Sequence, residues 1–263
     1  MTIDTPRGDF RNPSMFSLTS GKGGVGKTNL TVNLAYALSQ KDHRVLIVDG
    51  DLGLANVDVL LRINVQRTLR DVMQEGEDPA SAIVSVEPNL GVLPSSSGVP
   101  QMLMLGVKQQ NYLMKVLKDL ARGYDFVFVD TAAGIGPSVL WLNSFVDYTI
   151  VVVTPDPTSM TDAYALIKVL ARDHGRREFH VLLNLVSDER EGLETFNKLS
   201  TAAVRFLDIQ LRYLGSIPDD PQVTRSVREQ IPVVRRAPQC RASLAIQELA
   251  RRLSIFGSAG LGK

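Results

Sequence analysis

Apolar residues fall into two patterns along this chain, and the two alternate. Met15-Phe16-Ser17-Leu18-Thr19, Arg44-Val45-Leu46-Ile47-Val48, Phe126-Val127-Phe128-Val129-Asp130 and Tyr148 to Val153 are short, near-continuous apolar runs. Such runs predict strands covered on both faces, as in a parallel sheet. His180 to Asn184 and Leu211 to Ile217 continue the series, and Asn89 to Pro94 predicts a shorter strand. Between the runs, apolar residues recur at helical spacing. Helices are expected over Asn29–Gln40, with Leu30, Leu34, Ala37 and Leu38 on one face, and over Gln109–Ala121, with Leu113, Val116 and Leu117 in its stripe. A third, capped by Thr158 or Ser159, runs to about Arg172, and others span Gly192–Phe206, Pro221–Gln230 and Arg241–Ile255. The stretch 60–89 reads as helix and loop, with helical turns across Thr68–Gln74 and a break at Asp78-Pro79. No Gly-, Ser- or Pro-rich linker divides the chain and no repeat recurs. The expectation is a single α/β domain, doubly wound, with a mostly parallel sheet of seven or eight strands and helices on both faces. Its bounds are set at 14–256, after a polar lead-in (1–13) expected to be disordered and before a flexible tail (257–263).

The loop after the first run carries the chemistry. Ser20-Gly21-Lys22-Gly23-Gly24-Val25-Gly26-Lys27-Thr28 stands between a strand and a helix beginning near Lys27 and Asn29. That context makes GxxxxGK[ST] a phosphate cradle. The glycines let successive N–H groups curl inward, and the helix start adds its positive dipole end. Lys27 is placed to bridge the β- and γ-phosphates, and the Thr28 hydroxyl to ligate Mg²⁺. The domain is therefore expected to be a P-loop NTPase, with ATP/ADP and Mg²⁺ as its ligands. Acids at the carboxyl ends of the later strands are the next candidates: Asp49 and Asp51, then Asp130 in Asp130-Thr131-Ala132-Ala133-Gly134. Asp49 and Asp51 have a capping role as the lesser alternative beside this loop, whereas Asn184 at a strand end reads equally as a turn former.

Composition narrows the classes. The 263 residues carry 29 basic and 28 acidic side chains, so net charge gives no instruction about partners. Cys240 is the one cysteine, which excludes an internal disulfide and a cysteine-built cluster within one chain. No apolar run reaches the length of a membrane span, and a cytoplasmic protein is expected.

Lys22, directly after the first loop glycine, makes the motif KGGxGK[ST], the deviant P-loop of the MinD/ParA ATPases. The resemblance extends from Met15 to about Leu253 through Val48-Asp49-Gly50-Asp51-Leu52-Gly53-Leu54-Ala55-Asn56-Val57-Asp58, Asp130-Thr131-Ala132-Ala133-Gly134-Ile135-Gly136, Pro155-Asp156-Pro157-Thr158-Ser159, Asp162 to Lys168, Asn184 and Ile217-Pro218-Asp219-Asp220. Within that group the stretches look most like the flagellar-number regulators FlhG and FleN. The resemblance implies that Lys27 binds phosphates in cis, while Lys22 reaches the nucleotide of a partner subunit. It implies Thr28 on Mg²⁺ with Asp49 and Asp130 holding its water shell, and Asp51 orienting the attacking water. Gly134 would meet the γ-phosphate through its N–H, and Asn184, Pro218 and Asp219 would receive adenine. Slow, dimerisation-dependent ATP hydrolysis follows, in an ATP-dependent homodimer.

Implied partners are the GTPase FlhF, flagellar switch or C-ring proteins, or a flagellar transcription activator; the alternative is a positioning ATPase acting on DNA, chemoreceptor arrays or the division site. Asp4-Thr5-Pro6-Arg7 does not resemble the glutamine-bearing motif by which some FlhG proteins stimulate FlhF, so that activation is not expected. Residues after Arg251-Arg252-Leu253 are Gly-rich, and Arg241–Ile255 reads as a core-packing helix rather than a membrane anchor. From Asp219 to Lys263 eight basic residues face four acids, read as solvated helix faces rather than a DNA surface.

Overall fold

The computed structural model describes residues 13–73, 78–96 and 105–259, with side chains to Ile255. The lead-in to residue 12 and the last four residues lie outside the described residues. Eight strands form one sheet in the order β3-β4-β2-β5-β1-β6-β7-β8. These are β1 (Ser14–Ser20), β2 (Val45–Gly50), β3 (Val84–Glu87), β4 (Leu90–Leu93), β5 (Phe126–Ala133), β6 (Tyr148–Val153), β7 (Phe179–Val186) and β8 (Leu211–Pro218). All neighbours are parallel except β3 and β4. β3, absent from the sequence reading, is a partly buried edge hairpin arm without a continuous apolar run.

Both sheet faces are covered, which is why the central strands read as near-continuous apolar runs. Alternate residues diverge to opposite cores. Phe16, Phe126, Phe128, Ile150 and Val152 meet α1 (Lys27–Ser39) and the last helix, Arg241–Ala259. Val127, Val129, Val151, Val153 and Val181 face α3 (Val107–Ala121), α4 (Pro137–Phe145), α5 (Pro157–Asp173) and α6 (Glu189–Leu207). Of the remaining helices, α2 (Val57–Leu61) and α8 (Val233–Arg236) are short, α7 is Pro221–Glu229, and α9 is Arg241–Ala259.

Several local readings change. α1 was expected to bury one stripe, yet Thr31, Val32, Asn33, Ala35 and Tyr36 are buried as well, because α9 and the sheet enclose it from two sides. The cap of α5 is Asp156, whose side chain accepts from the Thr158 N–H, rather than Thr158 or Ser159. Of the turns expected at Thr68–Gln74, the described residues hold a 3-10 segment, Asp71–Met73, and Gln74 lies outside them. α4 and α8 were not foreseen, and α9 runs to Ala259, past the boundary set at 256.

β1 lies between β5 and β6, with the chain winding outward to either side. Its carboxyl end is therefore the topological switch point, and the loop at 21–26 leaves from there.

Candidate functional site

The loop is shaped by close approach. Gly26 has φ +92, and a Cβ there would stand 2.5 Å from Asn184 Nδ2. A Cβ on Gly21 would overlap the backbone carbonyl of Asp162 in α5. These two positions tolerate only glycine, one for conformation and contact together, the other for contact. The remaining loop glycines, Gly23 and Gly24, leave the loop open.

Its two lysines part company. Lys27 is buried at the start of α1, and its Nζ donates to Ser20 Oγ at 2.9 Å. Burial pulls its pKa down, against the charges of Asp130 and Asp51. Lys22 is turned outward. Its Nζ donates to Asp156 Oδ2 at 2.7 Å and Thr158 Oγ1 at 2.6 Å, holding the Asp156 carboxyl well below the usual range. Ser20 serves both, because its hydroxyl also donates to the Lys22 carbonyl at 2.6 Å.

Behind Lys27 lie two buried carboxylates. Burial pushes Asp49 up to about 7, reinforced by the charge of Asp130. Burial likewise pushes Asp130 up to about 6, although hydrogen bonds from Thr28 and Thr31 and the charge of Lys27 oppose it. Two anions without a matching pair of buried cations favour a further positive charge, so the donor set of Thr28, Asp49 and Asp130 fits a hard divalent ion. Asp49 also accepts from the N–H groups of Asp51, Asn56 and Val57 at 3.1, 3.2 and 3.3 Å. Asp51 is half-buried and accepts from Leu54 N at 3.0 Å. Both acids thus cap the following segment, and the capping and ligand readings coexist. Gly134, φ +92, donates its N–H to the Ser20 carbonyl at 2.8 Å, so this amide is engaged with the end of β1.

Beside the loop is a cavity of about 350 Å³, lined by Gly24, Gly26, Asn29, Asn184, Pro218 and the wall of α7 among others. Asn184 is buried and donates Nδ2 to the Val25 carbonyl at 2.7 Å. Asp219 is exposed, with its backbone N–H bonded to the Val186 carbonyl at 2.8 Å, and it is not among the residues lining the cavity. The structure therefore gathers the loop 21–29, Asp49, Asp51, Asp130, Gly134, Asn184 and Pro218 around one strand end. Sequence reasoning missed the partners of Lys22, the Ser20 hydroxyl and the α7 wall. Only Asp156-Pro157-Thr158 gave a signal, and it was read as a helix start.

Against known proteins, residues 13–254 match the ParA family profile, described as NUBPL iron-transfer P-loop NTPase. The chain belongs to the ParA family of P-loop NTPases. It is 42% identical over 247 residues to antiactivator FleN of Pseudomonas aeruginosa, covering 94% of this chain and 88% of that protein. It is 32% identical over 254 residues to the flagellum site-determining protein YlxH of Helicobacter pylori, covering 95% and 86%. Among solved structures, the septum site-determining protein MinD of Pyrococcus horikoshii, complexed with Mg-ADP, superposes with a TM-score of 0.76 at 27% identity, covering 92% of this chain and 96% of that one. The MinD of an Aquifex aeolicus MinC:MinD complex superposes with 0.74 at 28% identity, over 92% and 96%. This is a MinD/ParA-type P-loop ATPase fold with flagellar relatives. Among the described residues no helix is long and apolar enough to cross a membrane.

Proposed function

We propose that this ParA-family protein is an ATP-driven dimer switch that regulates flagellar number and placement. The observation that carries the switch is the division between the loop lysines. Lys27 points into the cradle, whereas Lys22 stands at the surface against Asp156 and Thr158. An outward lysine serves a phosphate that another subunit presents. ATP then acts as glue and substrate together, and the ATP and ADP states expose different surfaces to partners.

Within one subunit, the loop amides and Lys27 hold the phosphates, Asn184 and Pro218 receive the base, and Asp51 orients water. A magnesium ion held by Thr28, with Asp49 and Asp130 on its water shell, would neutralise charge on the phosphate oxygens. Gly134 would exchange its bond to Ser20 for one to the γ-phosphate, which makes the 130–136 turn responsive to nucleotide.

The flagellar part of the reading is supported by the likeness to an antiactivator and to a flagellum site-determining protein. A transcription activator, FlhF and switch or C-ring proteins are the partners it implies, with residence in the cytoplasm and at the inner membrane face or pole. A DNA-positioning role has less support, because the C-terminal arginines are largely occupied: Arg235 pairs with Glu87, Arg236 with Glu229, and Arg251 and Arg252 with Glu248.

The test is molecular mass in solution with Mg-ADP and with Mg-ATP, using Asp51→Ala to block hydrolysis. A dimer is expected with ATP alone, and its loss in Lys22→Ala. A monomer in every state that still hydrolyses ATP would refute the switch.

A further inference from the structure

Helix α7 touches two parts of the site that the loop itself does not join. Val223, Thr224, Val227 and Arg228 make the cavity wall facing Gly24 and Gly26. Arg228 is exposed and, among the described residues, has no hydrogen-bond or ion-pair partner. Just beyond the helix, Gln230 takes a left-handed conformation, φ 57 and ψ 41, and its N–H closes on the carbonyls of Ser226 and Val227. Its side chain then crosses to α2, where Nε2 donates to the Val59 carbonyl at 2.7 Å. α2 has a single turn; the Val59 carbonyl also accepts from the Arg62 N–H, at a long 3.4 Å, so the Gln230 amide is the shorter of its two donors. The other end of α2 begins at the Asn56 and Val57 N–H groups that bind Asp49. Val223, like Leu60 and Leu61 of α2, packs against the core cluster that contains Val57.

We propose that α7 couples seating of the nucleoside to the segment bearing Asp49 and Asp51, with Gln230 as the positioning residue. The coupling rests on the ATPase reading given above and adds that the base governs turnover. A base entering the cavity bears on Val227 and Arg228, and α7 shifts as a rigid rod. Gln230 carries that shift to Val59, and α2 carries it to the backbone amides that orient Asp49. Asp51, two residues on, moves with them. The choice of residue fits this role. A left-handed C-terminal position favours glycine on conformational grounds, and a longer side chain there is strained. What glutamine adds is the bond to α2.

The experiment compares phosphate release from Mg-ATP and from inorganic tripolyphosphate, which has no base, by the full chain. Gln230→Gly removes the side chain and suits the backbone, Gln230→Glu removes the donor at nearly constant shape, and Gln230→Lys keeps an N–H donor. The wild type is expected to turn over ATP about tenfold faster than tripolyphosphate, since binding of the nonreacting base is spent on the reacting centre. The Gly and Glu variants should lower kcat for ATP about three- to tenfold with KM within about twofold, and leave tripolyphosphate turnover unchanged. The Lys variant should keep at least about half the wild-type rate on the same logic. Equal losses on both substrates would show a mere structural prop and overturn the coupling. So would unchanged rates, a Lys variant no better than Gly, or a wild type indifferent to the base, all of which leave the ATPase reading standing. A wild type that hydrolyses no ATP would overturn that reading, and this coupling with it.

Discussion

The base contact proposed for Asn184 predicts a choice between bases that can be measured. One Nδ2 hydrogen is committed to the Val25 carbonyl at 2.7 Å, and the proposed contact with the base is made by Oδ1. An acceptor there suits the exocyclic amine of adenine and opposes the carbonyl oxygen of guanine. A neutral hydrogen bond contributes about 1 kcal/mol, so Asn184→Leu should weaken ATP binding about fivefold. Guanine would leave two acceptors facing each other, at about 1–3 kcal/mol, so wild type should prefer ATP to GTP by about ten- to a hundredfold. In Asn184→Leu that preference should shrink to within about threefold, since neither base then finds a partner. The same substitution orphans the Val25 carbonyl and should lower unfolding stability by about 1–2 kcal/mol without ligand. Asn184→Asp makes a sharper control: the acceptor stays, but the donor to Val25 is lost. It should keep the ATP preference while losing stability. Displacement of a fluorescent nucleotide gives the affinities, and urea melts give the stabilities. Wild type binding both nucleotides equally, or a leucine variant with its preference intact, would refute the reasoning.

Further outcomes follow from other contacts. Gly21→Ala places a methyl group against the Asp162 carbonyl, which is helix backbone and cannot swing aside. It should cost more than about 2 kcal/mol of stability and abolish nucleotide binding, whereas Gly23→Ala, with open space, should cost under about 1 kcal/mol. His180 is buried, and burial, aided by Arg212 and Arg176 and opposed by Glu178, pulls it down to about 4. Its folded value lies below the unfolded one, so the unfolded chain binds the extra proton and stability is lost as the pH is lowered. Wild type should lose about 1.3 kcal/mol relative to His180→Phe between about pH 7.5 and about pH 5.5, and parallel curves in urea melts would contradict this. Asn143 is fully buried and ties α4 to β1, accepting from Ser17 Oγ at 2.7 Å and donating to Thr19 Oγ1 at 3.2 Å and the Val139 carbonyl at 2.8 Å. Asn143→Leu should cost about 2–4 kcal/mol, and adding Ser17→Ala should recover part of it by removing an unpaired hydroxyl, which a double-mutant cycle reads directly.

Much of this protein is determined by short-range pattern. The central strands, the glycine loop and the helix after it are local, because apolar runs, glycine conformation and helical spacing act within a few residues. The family resemblance rests on the same local stretches. Elements without such a signature escaped: β3 pairs only as an edge arm against β4, and α8 is four residues held by its neighbours. Burial of α1 on every side was also invisible, since it depends on α9 folding back across it. The site divides in the same way. Lys27, Thr28, Asp49 and Asp130 were legible because strand ends in a parallel sheet converge by topology. The Lys22–Asp156 pair, the Asn184 amide locked to Val25, and the reach of Gln230 to Val59 join residues 134, 159 and 171 positions apart. Nothing in one segment encodes the other. Only the winding of the sheet around β1 brings them within a hydrogen bond, and tertiary packing alone decided which way each side chain turned.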